Sequence, residues 1–407
     1  MRFMRSLLCC MLAMVLGLCA AEAYGLDGRR IEVTAGEHVS RWVPLSLPYE
    51  APALPDGQCA VVVHPATGKE FPATVHDGEF VFVPEEVMPD TEHIYVVEVR
   101  ACEGLPAVEV TKQEGVNAVD VVVGGKPLTT YVYDSEERKP YLWPVLSEGG
   151  VPVTRDYPMG EVMTTTDHPH QRSIYTAYGD INGVNLWGER ANAGYQHTDN
   201  VTAGSGGAYG WIAAGNTWLD RDRKPVISET REFRFYNTPE SMRMFDLVVR
   251  FTADYGDVTF NDTKEGGIIA VRLHDAMTET SGSGVITNAE GLTGMDATWG
   301  APSAWCSYSG PIGDAGVHGI AVFDHPSNLR HPTCWHVRDY GLMAANCFGL
   351  SHFTEGEENG DYELKNGESL TFAYRVYIHS GSLEQAGIAE RYADYATPPQ
   401  ATWAGAQ

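Results

Sequence analysis

The sequence predicts an all-β protein whose main body is a large antiparallel β-sandwich. Short runs rich in valine and aromatic residues recur along the chain, and clusters of Gly, Pro and Asp separate them, as is typical of β-strands. Only residues 382–395 have the mixed three-and-four spacing of apolar residues that indicates a helix. No repeat of solenoid or propeller length is present in the sequence. Many strands and one late helix therefore favour two large sheets packed face to face.

The first 23 residues have the pattern of a secretory signal peptide. Arg2 and Arg5 give a basic start, residues 7–18 form an apolar run, and residues 21–23 (Ala-Glu-Ala) suit a cleavage site. The apolar run is short for a membrane span, and no later segment is long and apolar enough to cross a bilayer. We therefore expect a secreted or periplasmic protein without a membrane span.

The strand-like runs divide the chain into two predicted β domains. Residues 24–115 are predicted to form a small N-terminal β-sandwich domain, and a charged, glycine-containing stretch at its end marks the boundary. Residues 116–381 are predicted to form the large β-sandwich domain that carries the functional site, and residues 382–407 a helical tail. The main strand-like runs of the large domain are residues 118–123, 129–133, 229–236, 242–251, 258–260, 268–273, 319–323 and 370–378.

The chain is strongly acidic, with a formal net charge of −26 at pH 7. This charge argues against binding of nucleic acid, or of an anionic membrane, through the general surface. The same negative charge repels polyanionic glycans, unless a local basic cleft overrides the electrostatic field of the whole protein. Five of the eight cysteines follow the signal segment, and no C-x-x-C spacing suggests a zinc site. Cys59 and Cys102 lie in the same early region and are candidates for a disulfide in an oxidising compartment.

Residues 167–189 are rich in titratable and aromatic side chains. His168 and His170 are two residues apart, so they point to the same side of an extended segment. This spacing suits a general base beside a substrate-binding imidazole, and with a carboxylate it also suits a metal. The same run adds further candidates: Asp167, Arg172, Asp180, Trp187 and Glu189.

A second polar stretch, residues 323–341, carries the same Asp-His-Pro triplet as the first. Its arginines offer a rigid fork for carboxylates, phosphates or sugar hydroxyls, and its aromatic side chains suit stacking on sugar rings. We expect the two stretches to meet and to line one site. The alternative is a buried polar network that holds a long loop. The candidates are Asp324, His325, Asn328, Arg330, His331, Trp335, His336, Arg338 and Tyr340.

Three more candidates lie outside these stretches. Arg155 precedes the first stretch, and Lys264 and Glu265 form a polar turn before the apolar run 268–273. Lys264 and Glu265 are expected either to contact substrate or to be an exposed charged pair. No Gly-x-Ser-x-Gly and no His-Glu-x-x-His occurs, which excludes an α/β-hydrolase elbow and argues against the common zinc peptidase helix.

Four segments resemble the methane oxygenase PmoA-like family of secreted bacterial proteins, a domain of unknown function. They are residues 167–172 (Asp-His-Pro-His-Gln-Arg), 179–187, 262–266 and 323–341, and the resemblance covers roughly residues 131–379. That family usually shows His-Pro-His-His-Arg-Gly, where this chain has Gln171 and Ser173 in place of the third histidine and the glycine. The resemblance implies a β-sandwich similar to the mutarotase and polysaccharide-lyase folds. A supersandwich is one form that this β-sandwich can take. Through the family name it implies an oxygenase.

We expect a secreted or periplasmic carbohydrate-active enzyme, of glycoside hydrolase or lyase type, with a saccharide as its partner. A hydrolase would use two carboxylates across the scissile bond, and a lyase would use an imidazole or phenol base with a cation nearby. The predicted catalytic residues are His168, His170, Asp180, Glu189, His336 and Tyr340. The predicted substrate-binding residues are Arg155, Arg172, Trp187, Lys264, Glu265, Asn328, Arg330, Trp335 and Arg338.

Two alternatives remain open from the sequence. The first is a non-catalytic glycan-binding protein, which would keep the arginine and aromatic residues but would not need converging histidines. The second is a metal-dependent, oxygenase-like enzyme that uses His168 and His170 with a carboxylate. The predicted site assigns no metal ligand, and the sequence identifies no cofactor.

Overall fold

The computed structural model describes residues 25–51, 54–105, 107–133, 138–161 and 165–405. The predicted signal peptide lies outside these residues. Strands account for 48% of the structure and helices for 8%, in several large antiparallel sheets with one short C-terminal helical segment, which confirms the all-β class. No helix of the described residues is long and apolar enough to cross a membrane.

The first compact unit contains the residues up to Ala107, together with Gly206–Tyr209 and the residues from Thr397 onward. A seven-stranded antiparallel sheet has the order Gln400–Trp403, β1, β8, β4, β5, β6, β3, and β2 pairs with β7. Cys59 and Cys102 form a disulfide, which confirms the predicted pair. The strands before Val108 are β1 (Arg30–Thr34), β2 (Ser40–Arg41), β3 (Leu45–Pro48), β4 (Gln58–His64), β5 (Lys69–His76), β6 (Glu79–Phe82), β7 (Glu86–Val87) and β8 (Glu92–Ala101).

The second compact unit contains Val108–Ser205 and Gly210–Ala396. Its strands are β9 (Val108–Lys112), β10 (Ala118–Val123), β11 (Lys126–Val132), β12 (Tyr141–Leu142), β13 (Ile174–Tyr178), β14 (Tyr195–Gly204), β15 (Tyr209–Leu219), β16 (Pro225–Tyr236), β17 (Met242–Thr252), β18 (Val258–Phe260), β19 (Gly266–Arg272), β20 (Val285–Asn288), β21 (Trp305–Pro311), β22 (Val317–Asp324), β23 (Trp335–Arg338), β24 (Leu342–Ala345), β25 (Tyr362–Leu364) and β26 (Ser369–Ser380); the last strand of the chain, β27 (Gln400–Trp403), belongs to the first unit.

Two eight-stranded sheets form the sandwich of the second unit. One has the order β23, β24, β19, β13, β12, β11, β10, β9, and the other β14, β15, β16, β17, β26, β22, β21, β20, while β18 pairs with β25. Side chains of both sheets share one apolar core. Tyr131 of the first sheet and Phe233 of the second, for example, have ring centroids 5.4 Å apart. This shared core is what holds the two sheets face to face.

Helices are short in the described residues. They are α1 (Met295–Thr298), α2 (Leu350–Phe353), α3 (Leu383–Ala386) and α4 (Ile388–Ala396), with 3₁₀ turns at Glu148–Gly150, Asp275–Met277 and Gly313–Ala315. The predicted helix 382–395 is therefore confirmed as the pair α3 and α4. Ser382 and Gln385 form a capping box at the start of α3, and Gly387 ends it in the left-handed conformation with φ 62°.

The observed division of the chain differs from the predicted one in two places. The prediction ended the first domain after residue 115, but β9 belongs to the second unit because it pairs with β10 from Lys112 to Val108. The prediction treated residues 382–407 as one tail. In the structure, α3 and α4 belong to the second unit, and β27 pairs with β1 in the first.

Candidate functional site

The candidate site covers the outer face of one sheet of the sandwich. All five residues of β13 are buried. Ile174 and Tyr178 face the shared core, whereas Tyr175 and Ala177 belong to a separate apolar cluster with Trp187. A strand that is buried on both faces must be covered on its outer side as well. The chain that follows β13 supplies this cover, and the polar residues around it form the site.

Asp167 is held by two buried arginines. Arg155 Nη1 and Arg272 Nη2 donate to Asp167 Oδ1 at 2.7 Å and 3.0 Å. Partial burial acts to raise the pKa of Asp167, but the hydrogen bond with His168 and the charges of both arginines outweigh it and hold the pKa below its usual value. Arg272 also donates to Gln171 Oε1 at 3.0 Å, which explains the glutamine at that position. Asp167 is therefore a rigid, ionised carboxylate.

His168 forms an Asp–His pair with this carboxylate. Its Nδ1 lies 2.6 Å from Asp167 Oδ2. An ionised carboxylate only accepts hydrogen bonds, so Nδ1 carries the proton and Nε2 is left as the basic nitrogen. The side chain is 41% exposed, so solvent and small molecules reach it. His168 also has a positive φ of 44°, a strained conformation that is common at functional sites.

Five aromatic rings form a continuous row that joins the two polar stretches of the sequence. The successive rings are Tyr340, His168, His170, Trp187 and His336, with centroid separations of 4.8, 5.8, 6.1 and 6.4 Å. The C-terminal half of the second stretch therefore meets the first stretch, as predicted. This row is called the aromatic row below.

Two histidines of the aromatic row are uncharged at neutral pH. Burial lowers the pKa of His170 to about 4, and the charges of Lys139 and His168 add to this effect. Burial and the charge of Arg338 lower the pKa of His336 to about 3. A neutral imidazole donates one hydrogen bond and accepts one, so His170, which lines the cavity described below, suits the binding of a polar ligand.

Glu189 is the second carboxylate of the site. Arg172 binds it through two hydrogen bonds of 2.9 and 3.0 Å, and Lys139 Nζ lies 3.7 Å away. Burial acts to raise the pKa of Glu189, but these cations outweigh it and lower the pKa. Lys139 is fully buried, which lowers its own pKa to about 8, and it donates to the carbonyl oxygens of Trp187 and His170 at 2.6 and 3.1 Å. This network fixes the backbone of both aromatic residues.

A cavity of about 410 Å³ opens beside the aromatic row. Glu265 lines it and is hydrogen-bonded to Lys264. Three polar residues that line the cavity, Asn185, Arg190 and Asn192, are not among the predicted site residues. Asn185 lies inside residues 167–189, and the other two follow that run within three residues. The cavity is lined by His168, His170, Asn185, Trp187, Gly188, Glu189, Arg190, Asn192, Ala193 and Glu265.

Four other predicted site residues make hydrogen bonds that support the fold. Asp180 accepts hydrogen bonds from the Gly183 amide and the Asn261 side chain in a turn. Arg330 donates to three backbone carbonyls, and Asn328 bridges Asp324 to Ala373. Trp335 is buried and donates to the carbonyl of Ser303. The N-terminal half of the second stretch therefore forms a polar network that holds a loop. This is the alternative that the sequence left open to a site in this stretch.

Arg338 packs beside the site without lining its cavity. Its guanidinium lies 5.5 Å from the centroid of the Trp299 ring.

In the part of the chain that the structure describes, no group of three or more His, Cys, Asp or Glu side chains could hold a metal ion. His168 and His170 therefore have no third ligand among these residues.

Fold and site together define a β-sandwich protein with an Asp–His pair, cation-bound carboxylates and an aromatic row on one outer sheet face. A family of unknown function, DUF6807, matches residues 118–393, which is more than half of the chain, and this protein belongs to that family. No curated protein matches the chain.

The predicted membership of the methane oxygenase PmoA-like family is wrong. The matching family is DUF6807, and no PmoA-like or methane oxygenase family was found. The resemblance rested on four segments of the sequence, and the structure shows that several of their residues, such as Asp180 and Arg330, make hydrogen bonds that support the fold. The oxygenase implied by the family name loses its basis.

Proposed function

We propose that this protein is a carbohydrate-active enzyme of the lyase type, in which His168 acts as the general base. The observation that carries this proposal is the Asp167–His168 hydrogen bond of 2.6 Å beside the cavity. A carboxylate that binds Nδ1 orients the imidazole and stabilises its charged form while Nε2 takes a proton. Arg155 and Arg272 keep the carboxylate in place.

The cavity carboxylates favour elimination over two-carboxylate hydrolysis. A glycoside hydrolase needs one carboxyl group with a raised pKa, so that it can donate a proton at neutral pH. Burial acts to raise the pKa of Glu265, but the hydrogen bond and the charge of Lys264 outweigh it and lower the pKa. The pKa of Glu189 is lowered too. Neither group fits the role of the general acid.

The chemistry of the cavity supports a saccharide as the ligand. Its volume of about 410 Å³ lies within the range of small-molecule sites, about 300–1,000 Å³. Asn185, Asn192 and Arg190 offer the amide and guanidinium groups that bind sugar hydroxyls.

We further propose that the protein works outside the cytoplasm, in the periplasm or as a secreted protein. The Cys59–Cys102 disulfide supports this, because such bonds persist in oxidising compartments. The basic, apolar and small-residue pattern of residues 1–23 supports it independently.

Mass spectrometry of products from a broad oligosaccharide panel tests the proposed reaction. Elimination conserves the summed mass of the fragments and leaves one unsaturated end, whereas hydrolysis adds one water. Unsaturated products that disappear in His168→Ala would support a lyase with this base. Products that have gained water would overturn the lyase assignment. Tight binding of a saccharide without any product would instead favour the glycan-binding alternative.

A further inference from the structure

The site combines three carboxylates with a larger number of cations. Asp167 is bound by Arg155 and Arg272. Glu189 is bound by Arg172 and Lys139, and Glu265 by Lys264. In both of the first two groups, two cations serve one carboxylate, so each group keeps one positive charge. Only the Glu265–Lys264 pair is neutral.

Arg190 adds a further positive charge at the cavity. It is exposed and lines the cavity directly beside Glu189. Together with the two unbalanced groups, it brings the local surplus to three positive charges. Asp275 also acts on Arg155, and counting it leaves a surplus of two. The whole chain carries −26, so the charge of this region is opposite in sign to that of the whole chain. Such a local field attracts an anion despite the global charge.

One residue that lines the cavity carries a buried hydrogen-bond donor without an acceptor. Trp187 is 2% exposed and lines the cavity, and its Nε1 makes no hydrogen bond within the described chain. A buried polar group without a partner is unfavourable, and most such groups in folded proteins are satisfied. Counted with their ion-pair partners, the charged residues that line the cavity have a surplus of positive charge, which an anionic, acceptor-rich ligand would balance.

We propose that the ligand is a saccharide that carries a carboxylate, a uronate. This inference rests on the proposed function and names its substrate class. A carboxylate supplies the negative charge and the acceptor oxygens. It also acidifies the proton on the adjacent carbon, which a phosphate or sulfate ester would not do.

The reaction that fits this ligand is a β-elimination. His168 Nε2 takes the proton from the carbon beside the carboxylate, a C=C bond forms, and the glycosidic C–O bond breaks. The departing oxygen takes up the proton that His168 removed, so the base is restored and the products together have the mass of the substrate. No oxidant, reductant or water enters the products. The surplus cations would stabilise the negative charge that develops on the substrate.

Calorimetric titration of the purified protein with oligouronates, their methyl esters, the matching neutral oligosaccharides and small non-sugar carboxylates tests this inference. We expect the acidic forms to bind about tenfold more tightly than the esters. Added salt should weaken binding of the acids only. Arg190→Gln should weaken binding of the acids about threefold. Arg221→Gln is the matched control, because Arg221 is also an exposed arginine, paired with Asp222 rather than at the cavity.

The outcomes separate this inference from the proposed function. Esters or neutral sugars that bind and react as well as the acids would overturn the uronate inference and leave a carbohydrate-active enzyme. Small non-sugar carboxylates that bind while every saccharide fails would overturn both the uronate and the saccharide assignment, and would leave only an anion site. Failure of all these ligands to bind would overturn the inference outright.

Discussion

The rings of His168 and Tyr340 stack in parallel, with centroids 4.8 Å apart and an interplanar angle of 8°. This contact joins the two polar stretches of the sequence at the Asp–His pair. Arg272 lies on the same tyrosine, with its guanidinium carbon 4.5 Å from the ring centroid. Tyr340 therefore contacts both the proposed base and a cation that holds Asp167. Its ring restricts the imidazole to one orientation, which a general base needs.

Replacement of His168 tests the catalytic proposal most directly. His168→Ala should lower kcat by about 10²–10⁴, the usual contribution of a positioned base. Steady-state kinetics on the active saccharide measures this. His197→Ala is the matched control, because His197 is also exposed and lies 3.8 Å from Asp199. Equal activity of the two variants would remove His168 from the mechanism.

Replacement of Glu189 tests its role as a buried counter-ion. Glu189→Gln leaves Arg172 and Lys139 without their carboxylate, and both cations are largely buried. We expect the free energy of unfolding to fall by about 3–5 kcal/mol in urea titrations. Glu265→Gln is the control from the same cavity. Its carboxylate is 44% exposed, so the loss should stay below about 1 kcal/mol. Similar losses in both variants would contradict this account.

The buried histidines predict a loss of stability in acid. The pKa of His336 falls to about 3 in the folded protein from its usual 6.5. The unfolded chain therefore binds this proton first as the pH drops. This destabilising effect of His336 is absent above pH 6.5. Between pH 6.5 and 3, it lowers the free energy of unfolding by up to about 1.4 kcal/mol per pH unit.

Urea titrations at several pH values, with His336→Gln compared with the parent protein, measure this contribution. The variant should have a shallower decline of unfolding free energy below pH 6.5. His197→Gln, which replaces an exposed histidine, should keep the parent slope. An unchanged slope in His336→Gln would show that His336 is not kept neutral by burial.

Arg330 should stabilise the fold without contributing to turnover. Its guanidinium donates to the carbonyls of Cys347, Gly360 and Asp361. Arg330→Gln should lower the free energy of unfolding by about 2–4 kcal/mol, because several carbonyls lose a charged donor. Below the melting temperature, kcat and KM should match those of the parent protein. Denaturation and kinetics on the same preparation test this, and a selective rise in KM would place Arg330 in the binding site after all.

Part of the site could be predicted from the sequence because its residues are neighbours in the chain. His168, His170, Trp187 and Glu189 come from one run and line one cavity. The polar residues of the second stretch look alike in sequence but have two different roles in the structure. Its first half turns inward and binds backbone carbonyls, whereas His336 and Tyr340 reach the aromatic row.

The sequence by itself determined the all-β class, the C-terminal helix and the run around which the site is built. Strands show alternating apolar residues, and turn residues separate one strand from the next. Both are local properties, so the sequence predicts them without a structure. Only the tertiary structure decided which charges pair. Arg272 lies at the end of β19 and reaches Asp167 because β13 and β19 are hydrogen-bonded neighbours. Ion pairs between strands depend on sheet order and register, which the local sequence pattern does not specify.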